Sequence, residues 1–242
     1  DDRVKEGSVG LVGENTLRWT DWLRTTVGLR GDLYWTDVAS NLAANSGKES
    51  DAILSPKFGL VLGPWAQTEF YFSAGTGFHS NDARGTVTTI DPVSGDPASR
   101  TPFLVRSEGA EIGLRTQPWR GLSSTLALFV LDFDSEIVFI GDAGNTEASR
   151  PSRRLGGEFT LDARLAPWLK LDLSAAYAHA RFREDDPGAP GRRIPGAVEG
   201  VISAGLTFHD VYGGWFGGVK VRYFGPRPLI EDNSIRSNST TT

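Results

Sequence analysis

The sequence predicts an all-β fold of about ten long antiparallel strands. Apolar and polar residues alternate with a period of two, and the connections between the alternating runs are short and long in turn. Between Leu155 and Leu165, for example, Leu155, Phe159 and Leu161 fall on one face of a strand, while Glu158 and Asp162 fall on the other. No segment shows a competing helical period.

Composition narrows the class further. The 242 residues include 29 glycines, 10% aromatic and 23% charged residues, which argues against a coiled coil, a helical bundle or a disordered tail. With no cysteine, the chain has no disulfide, no thiolate nucleophile and no cysteine-ligated metal site. A formal charge of −5 makes a nucleic-acid partner unexpected, since such domains usually carry a net basic face.

The strands can be placed in chain order from the alternation. Most runs are about ten or more residues long, roughly twice the usual length in soluble proteins. The segment Leu126 to Leu131 is apolar on both faces, so its orientation stays open. The predicted strands are residues 6–18, 22–38, 53–63, 67–79, 103–117, 121–139, 153–166, 168–183, 196–208 and 214–224.

The connections fall into two kinds. Short turns carry a tryptophan roughly every 50 residues, which marks a repeated hairpin unit. The turn tryptophans are Trp22, Trp65, Trp119, Trp168 and Trp215. Long polar connections alternate with these turns: Ala39 to Asp51, Ser80 to Pro102, Gly141 to Ser152, Glu184 to Ile194, and the tail from Pro226.

These features together favour a membrane-spanning sheet. A tilted strand of about 9–11 residues crosses a bilayer, and short turns on one side with long loops on the other are typical of outer-membrane barrels. The five turn tryptophans are then predicted to form an aromatic girdle at the membrane interface, on the side of the short periplasmic turns. The alternative is a soluble β-sandwich in which these tryptophans fill one end of the core.

In a barrel of this kind, the polar strand face points into the lumen. The charged residues predicted to lie on that face are Arg24, Arg30, Glu111, Glu158, Arg164, Lys170, Asp172, Lys220 and Arg222.

Several segments in order carry a resemblance to a known family. They are Ser55–Val61, Phe70–Gly85, Arg106–Arg115, Asp132–Glu136, Arg192–Gly196 and Tyr223–Leu229. In these segments the sequence resembles the TonB-dependent outer-membrane receptors of Gram-negative bacteria. The resemblance implies a 22-stranded transmembrane β-barrel with an N-terminal plug, which imports a scarce nutrient with energy from the TonB complex.

On this resemblance, residues 1–242 are expected to be a partial barrel domain, with the plug, the early strands and the closing C-terminal strands outside it. The implied location is the cell outer membrane. The implied partners are the TonB complex through the N-terminal region, outer-membrane lipid and lipopolysaccharide, and a nutrient ligand such as a ferric siderophore. Transport displaces a ligand without bond chemistry, so no catalytic residue and no cofactor are expected.

The external loops hold the candidate ligand-binding residues. One group lies at the base of the Ser80 to Pro102 connection: His79, Asn81, Asp82 and Arg84. A second group is cationic and suits an anionic chelate or lipopolysaccharide phosphates: Arg150, Arg153, Arg154, Arg192 and Arg193. Ordinary structural roles remain open for both groups, namely a strand end for His79 and solvated loop charge for the arginines.

The same strand pattern leaves two other functions open. A passive outer-membrane channel shares the strands, the girdle and the loop asymmetry, and a soluble β-sandwich carbohydrate-binding module shares the alternation. No metal site is predicted, because His79, His179 and His209 each lack a second histidine at ligand spacing.

Overall fold

The protein forms one large antiparallel sheet. The structure is a computed structural model that describes residues 2–135, 137–140, 145–148, 150–186, 188 and 190–242, with the backbone course alone for 137–140 and 145–148. Within these residues no helix is long and apolar enough to cross a membrane.

The strands follow one another along the chain with tight turns or long loops between them. They are β1 (Arg3–Arg18), β2 (Leu23–Ala39), β3 (Gly47–Trp65), β4 (Thr68–Ser80), β5 (Leu104–Trp119), β6 (Leu122–Phe133), β7 (Ile137–Ile140), β8 (Asn145–Ala148), β9 (Ser152–Ala166), β10 (Leu169–Phe182), β11 (Gly200–Val211), β12 (Trp215–Phe224) and β13 (Thr240–Thr241). A short 3₁₀ turn covers Ala43–Asn45, and one short helix, α1, covers Ala83–Val87.

The sheet is a meander. Eleven of the described strands pair in the order β1-β2-β3-β4-β5-β6-β9-β10-β11-β12-β13, and β7 pairs with β8 as a separate hairpin. All the pairings are antiparallel, and the sheet is open, with β1 and β13 at its two edges. The predicted all-β antiparallel fold is therefore confirmed, whereas the β-sandwich is wrong, because the described residues form a single large sheet.

The register shows two distinct faces. Directly paired residues share a face, so a row can be followed across the strands. One such row is apolar throughout: Leu23, Leu62, Phe70, Leu114, Leu126, Phe159, Ala175, Ile202 and Tyr223. We call the side carrying this row the apolar face and the opposite side the polar face. The nine charged residues that the alternation placed on the polar side of the strands, from Arg24 to Arg222, all lie on this polar face.

The predicted strand boundaries differ most from the structure at β3, at β6 and at β11, which spans Gly200–Val211 where 196–208 was predicted. β3 begins at Gly47, since the polar residues 48–51 still pair with β2 although the apolar alternation starts later. The predicted strand 121–139 ends at Phe133, and the residues beyond form the separate β7–β8 hairpin. Residue 136 of that strand, and residues 141–144 and 149 of the predicted Gly141 to Ser152 loop, lie outside the described residues.

Candidate functional site at the loop end of the sheet

The long segment between β4 and β5 folds across the polar face of β1–β3. Its helix α1 places Ala83 and Val87 against Val38 of β2, and all three side chains are buried. A Cβ atom added to Gly47 would lie 3.3 Å from Val87 Cγ1, so glycine leaves room for this packing. The sequence pattern gave no sign of α1, because five residues are too few to show a helical period.

A buried amide fastens the same segment to the β2–β3 connection. Asn45 is 7% exposed. Its Nδ2 donates to the Ile90 carbonyl at 2.8 Å, and its Oδ1 accepts from the Thr89 and Ile90 amides at 2.9 and 3.0 Å. One side chain thereby satisfies three backbone groups of another loop, so the β4–β5 segment is held in one position.

The first predicted group lies at the neck of this segment. Asn81 is 6% exposed, and its Nδ2 donates to the Pro102 carbonyl at 2.7 Å while its backbone amide donates to the Phe103 carbonyl at 2.9 Å. Within the described residues, the Asn81 Oδ1 and His79 Nε2 atoms are buried without a hydrogen-bond partner. These atoms could accept or donate hydrogen bonds to a bound molecule or to water.

Asp82 and Arg84 form an ion pair beside this neck. The Asp82 carboxylate accepts from the Arg84 backbone amide at 2.9 Å and from the guanidinium Nη2 at 2.5 Å. The Arg84 hydrogen bonds hold the pKa of Asp82 below its ordinary value. Both residues, with Asn81 and Glu6, line an open cavity of about 690 Å³ at the β1 edge.

The second predicted group lies on the β6–β9–β10 part of the sheet, and its members point in different directions. Arg153 makes a bidentate pair with Asp132, with both N–O distances 2.6 Å, on the apolar face. Arg154 lies on the polar face, with its guanidinium 4.9 Å from the Phe133 ring centroid. Arg150 donates to Glu231 at 2.5 Å and stacks 4.2 Å over the Phe182 ring.

The remaining two arginines tie the β10–β11 loop together. Arg192 pairs with Asp185 at 2.5 Å through two nitrogens. Arg193 Nη1 donates to Glu199 Oε1 at 2.7 Å and lies 2.9 Å from His179 Nδ1.

Three residues that the sequence interpretation did not single out complete this second assembly. Glu199 accepts from both Arg193 and Arg236, and Glu231 accepts from Arg150. A backbone hydrogen bond joins the same two segments, because the Arg193 amide donates to the Glu231 carbonyl at 2.9 Å. The tail therefore folds back onto the β10–β11 loop. No local pattern predicts these pairs, since the partners are 37 and 81 residues apart.

The predicted site residues thus form two assemblies and not one pocket. His79 to Arg84 belong to the β1–β5 part of the sheet, and the five arginines belong to the β6–β12 part and the tail. Carboxylates or aromatic rings already contact these five arginines. No group of three or more His, Cys, Asp or Glu side chains able to hold a metal ion is found among the described residues.

The five predicted girdle tryptophans lie at the opposite, short-turn end. Their side chains are 47–73% exposed, and the Trp22 and Trp65 ring centroids are 6.1 Å apart. Their role at a membrane interface stays a prediction.

The sheet is similar to several proteins of known structure. No curated protein is significantly similar in sequence. The chain is similar in fold to the copper transporter OprC, with a TM-score of 0.77 and 20% identity over 98% of this chain and 39% of that one. It is also similar to the ferric-catecholate import receptor Fiu from E. coli K12, with a TM-score of 0.78 and 15% identity over 99% of this chain and 38% of that one.

A third solved structure, the ferric yersiniabactin uptake receptor FyuA from Yersinia pestis, has a TM-score of 0.77 and 17% identity over 100% of this chain and 38% of that one. The chain therefore spans about two fifths of the length of these receptors. The family model "TonB dependent receptor-like, beta-barrel" matches residues 1–242. The chain belongs to the TonB-dependent receptor β-barrel family.

Proposed function

We propose that this chain is part of an outer-membrane receptor that binds a scarce nutrient at its loop end and imports it with energy from the TonB complex. The observation that carries the proposal is the match of the whole chain to the receptor barrel family. The sheet supports it with one continuous apolar face and with its long, structured connections at one end.

A metal chelate, such as a ferric siderophore, fits this chain better than a bare metal ion. The sequence has no cysteine and no methionine, and it has three histidines, so it lacks the soft ligands that a bare copper ion prefers. A chelate brings its own metal ligands and needs only hydrogen bonds and apolar contacts from the loops. Asn81 and His79 offer buried polar atoms of this kind.

The family match also favours a receptor over a passive channel. The β4–β5 segment supports the same conclusion, because it covers the polar face of β1–β3 and is fastened there by Asn45. A loop in this position narrows the mouth of a barrel. A narrow mouth suits selective capture more than free diffusion.

The test replaces residues 84–100 with a short Gly-Ser linker in the receptor expressed in a Gram-negative outer membrane. We expect at least a tenfold loss of ligand affinity, because the linker removes most of α1, Arg84 from the cavity lining, and the hydrogen bonds by which Asn45 holds the segment. Binding and uptake of labelled ferric siderophores under iron limitation measure the effect.

A matched control changes the opposite end of the sheet. Replacing Ala66 and Gln67, which form the short β3–β4 turn, with Gly-Gly should leave affinity unchanged. Normal affinity and uptake in the loop variant would count against a ligand site in the β4–β5 segment.

A further inference from the structure

The open cavity at the β1 edge lies on the polar face, between β1 and the neck of the β4–β5 segment. Its volume of about 690 Å³ is within the usual range for small-molecule pockets. Glu6 lines it from β1, where pairing with Thr36 puts this residue on the polar face, and Asn81 and Asp82 line it from the neck. In a barrel, the cavity therefore opens on the lumen side of the sheet.

The charged residues of the lining are mostly acidic. Among the described residues that line the cavity, Asp2, Glu6 and Asp82 are acidic and Arg84 is basic. Arg84 is already engaged with Asp82, to which its Nε and Nη2 atoms donate at 3.0 and 2.5 Å. The positive charge of Arg84 therefore balances one of the three carboxylates.

The other two carboxylates have no cationic partner in direct contact. Asp2 accepts from two neutral groups, the Ser40 hydroxyl at 2.8 Å and the Asn41 amide at 3.3 Å. Glu6 is exposed and has no hydrogen-bond or ion-pair partner within the described part of the chain. The negative charges of Asp2 and Glu6 therefore remain available to a bound cation.

A buried acceptor in the same lining also lacks a partner. The Asn81 side chain is 6% exposed, and its Nδ2 atom donates to the Pro102 carbonyl at 2.7 Å, which leaves Oδ1 as the accepting atom. This Oδ1 atom has no hydrogen-bond partner among the described residues. Because a buried acceptor without a partner is unfavourable, the lining favours a ligand that brings a hydrogen-bond donor.

These features favour an organic cation over two other occupants. The net negative charge repels an anionic chelate, and the five arginines that would suit one already contact carboxylates or aromatic rings. A bare metal ion needs several ligands together, and no group of His, Cys, Asp or Glu able to hold one is found in the described ranges. A protonated amine meets both requirements, because it carries a positive charge and three donors.

We propose that this cavity binds a protonated amino group of the nutrient, with Asp2 and Glu6 as counter-ions and Asn81 as a further acceptor. The proposal rests on the receptor function proposed above, and it names the class of chelate that the receptor selects, one with a free amine. Hydrogen bonds between ammonium and carboxylate groups are charge-assisted and stronger than those between neutral groups. The same negative charge attracts a cationic ligand to the barrel mouth.

The test compares ferric chelates that differ at one amine. Ferrioxamine B, a trihydroxamate with a free amine, and a catecholate chelate with an aminoalkyl arm are each used beside their N-acetylated forms. Quenching of tryptophan fluorescence measures their binding to the receptor extracted in mild detergent. We expect about tenfold higher affinity for the amine form, since acetylation removes the charge-assisted hydrogen bonds.

Variants of the lining connect this preference to the cavity. Asp2→Asn combined with Glu6→Gln changes two exposed side chains, preserves their shape and should reduce the preference to less than about twofold. The matched control is Glu14→Gln, which removes a carboxylate paired with Lys57 on the same face of β1, outside the cavity, and should keep the preference. A heat-dependent gel shift checks that each variant is folded. Asn81 is left unchanged because it also ties the neck of the loop.

Equal affinity for the amine and acetylated forms, or an unchanged preference in the double variant, would overturn the amine site. Displacement of the amine chelate by Ca²⁺ at equal concentration would assign the cavity to a metal ion and overturn the amine site as well.

Uptake under iron limitation separates this proposal from the receptor function. Uptake of an amine-free ferric siderophore, without binding of either amine chelate, would overturn the amine site and leave the receptor function standing. Failure to bind or import any ferric chelate would contradict the receptor function itself, and the amine site with it.

Discussion

At the scale of single residues, close backbone contacts hold the loop end together. Gly191 has a φ of +101°, and a Cβ atom there would lie 2.3 Å from the Glu231 carbonyl oxygen. Glycine is therefore required both by the backbone conformation and by the tail that lies against it. This contact brings Glu231 to Arg150 and leads the tail toward the pair between Arg236 and Glu199.

Gly191→Ala should release the tail from the β10–β11 loop. The left-handed conformation alone costs an alanine about 1–2 kcal/mol, and the contact with Glu231 adds to this cost. We expect faster hydrogen exchange of the Arg193 amide, which donates to Glu231. Gly196→Ala is the matched control, because Gly196 also has a positive φ of +81° but has no atom within 4 Å of an added Cβ. Equal exchange of the Arg193 amide in the two variants would show that the close contact between Gly191 and Glu231 does not help to hold the tail on the loop.

At the scale of elements, the regular strands could be predicted from the sequence, whereas the packing of the loops could not. Alternation predicted both faces, because each strand carries its own period of two and paired residues repeat it. The β4–β5 segment was correctly placed at the loop end, but its packing on β1–β3 depends on Asn45 and Val38, which lie far away in sequence. The pairing of Arg236 with Glu199 could not be predicted for the same reason, because the two residues are 37 positions apart in sequence.

Asn45→Ala should detach the β4–β5 segment. The substitution leaves the part-buried Thr89 and Ile90 amides without their acceptor, and each lost hydrogen bond costs about 0.5–1.5 kcal/mol. Hydrogen exchange of these two amides should accelerate at least tenfold. Asn41→Ala, an exposed change in the same β2–β3 connection, should not alter it. Protection that persists in Asn45→Ala would mean that the Val38, Ala83 and Val87 contacts hold the segment alone.

At the scale of the whole molecule, the apolar face of the sheet is too large to be exposed to water. In water, the exposed leucines and phenylalanines of that face would make a far larger apolar patch than soluble monomers tolerate. Lipid satisfies such a face, provided that every backbone group is paired within the sheet. The meander pairs its interior strands on both sides, except that β3 meets β4 only between Lys57 and Trp65 and β12 meets β13 only at Tyr223 and Phe224.

The apolar face therefore predicts a one-sided sensitivity to charge. Leu126 lies in the middle of the apolar stretch of β6, so Leu126→Arg should destabilise the membrane-inserted barrel by about 2–4 kcal/mol, the cost of an arginine near the bilayer midplane. Ser123→Arg lies on the polar face opposite Asp162, an exposed carboxylate that already pairs with Lys170, and at this exposed position the added charge should change stability little. Urea unfolding of both receptors in liposomes, followed by the heat-dependent gel shift, measures the difference. Equal destabilisation would contradict lipid contact at Leu126, because only lipid makes the two faces unequal toward a charge.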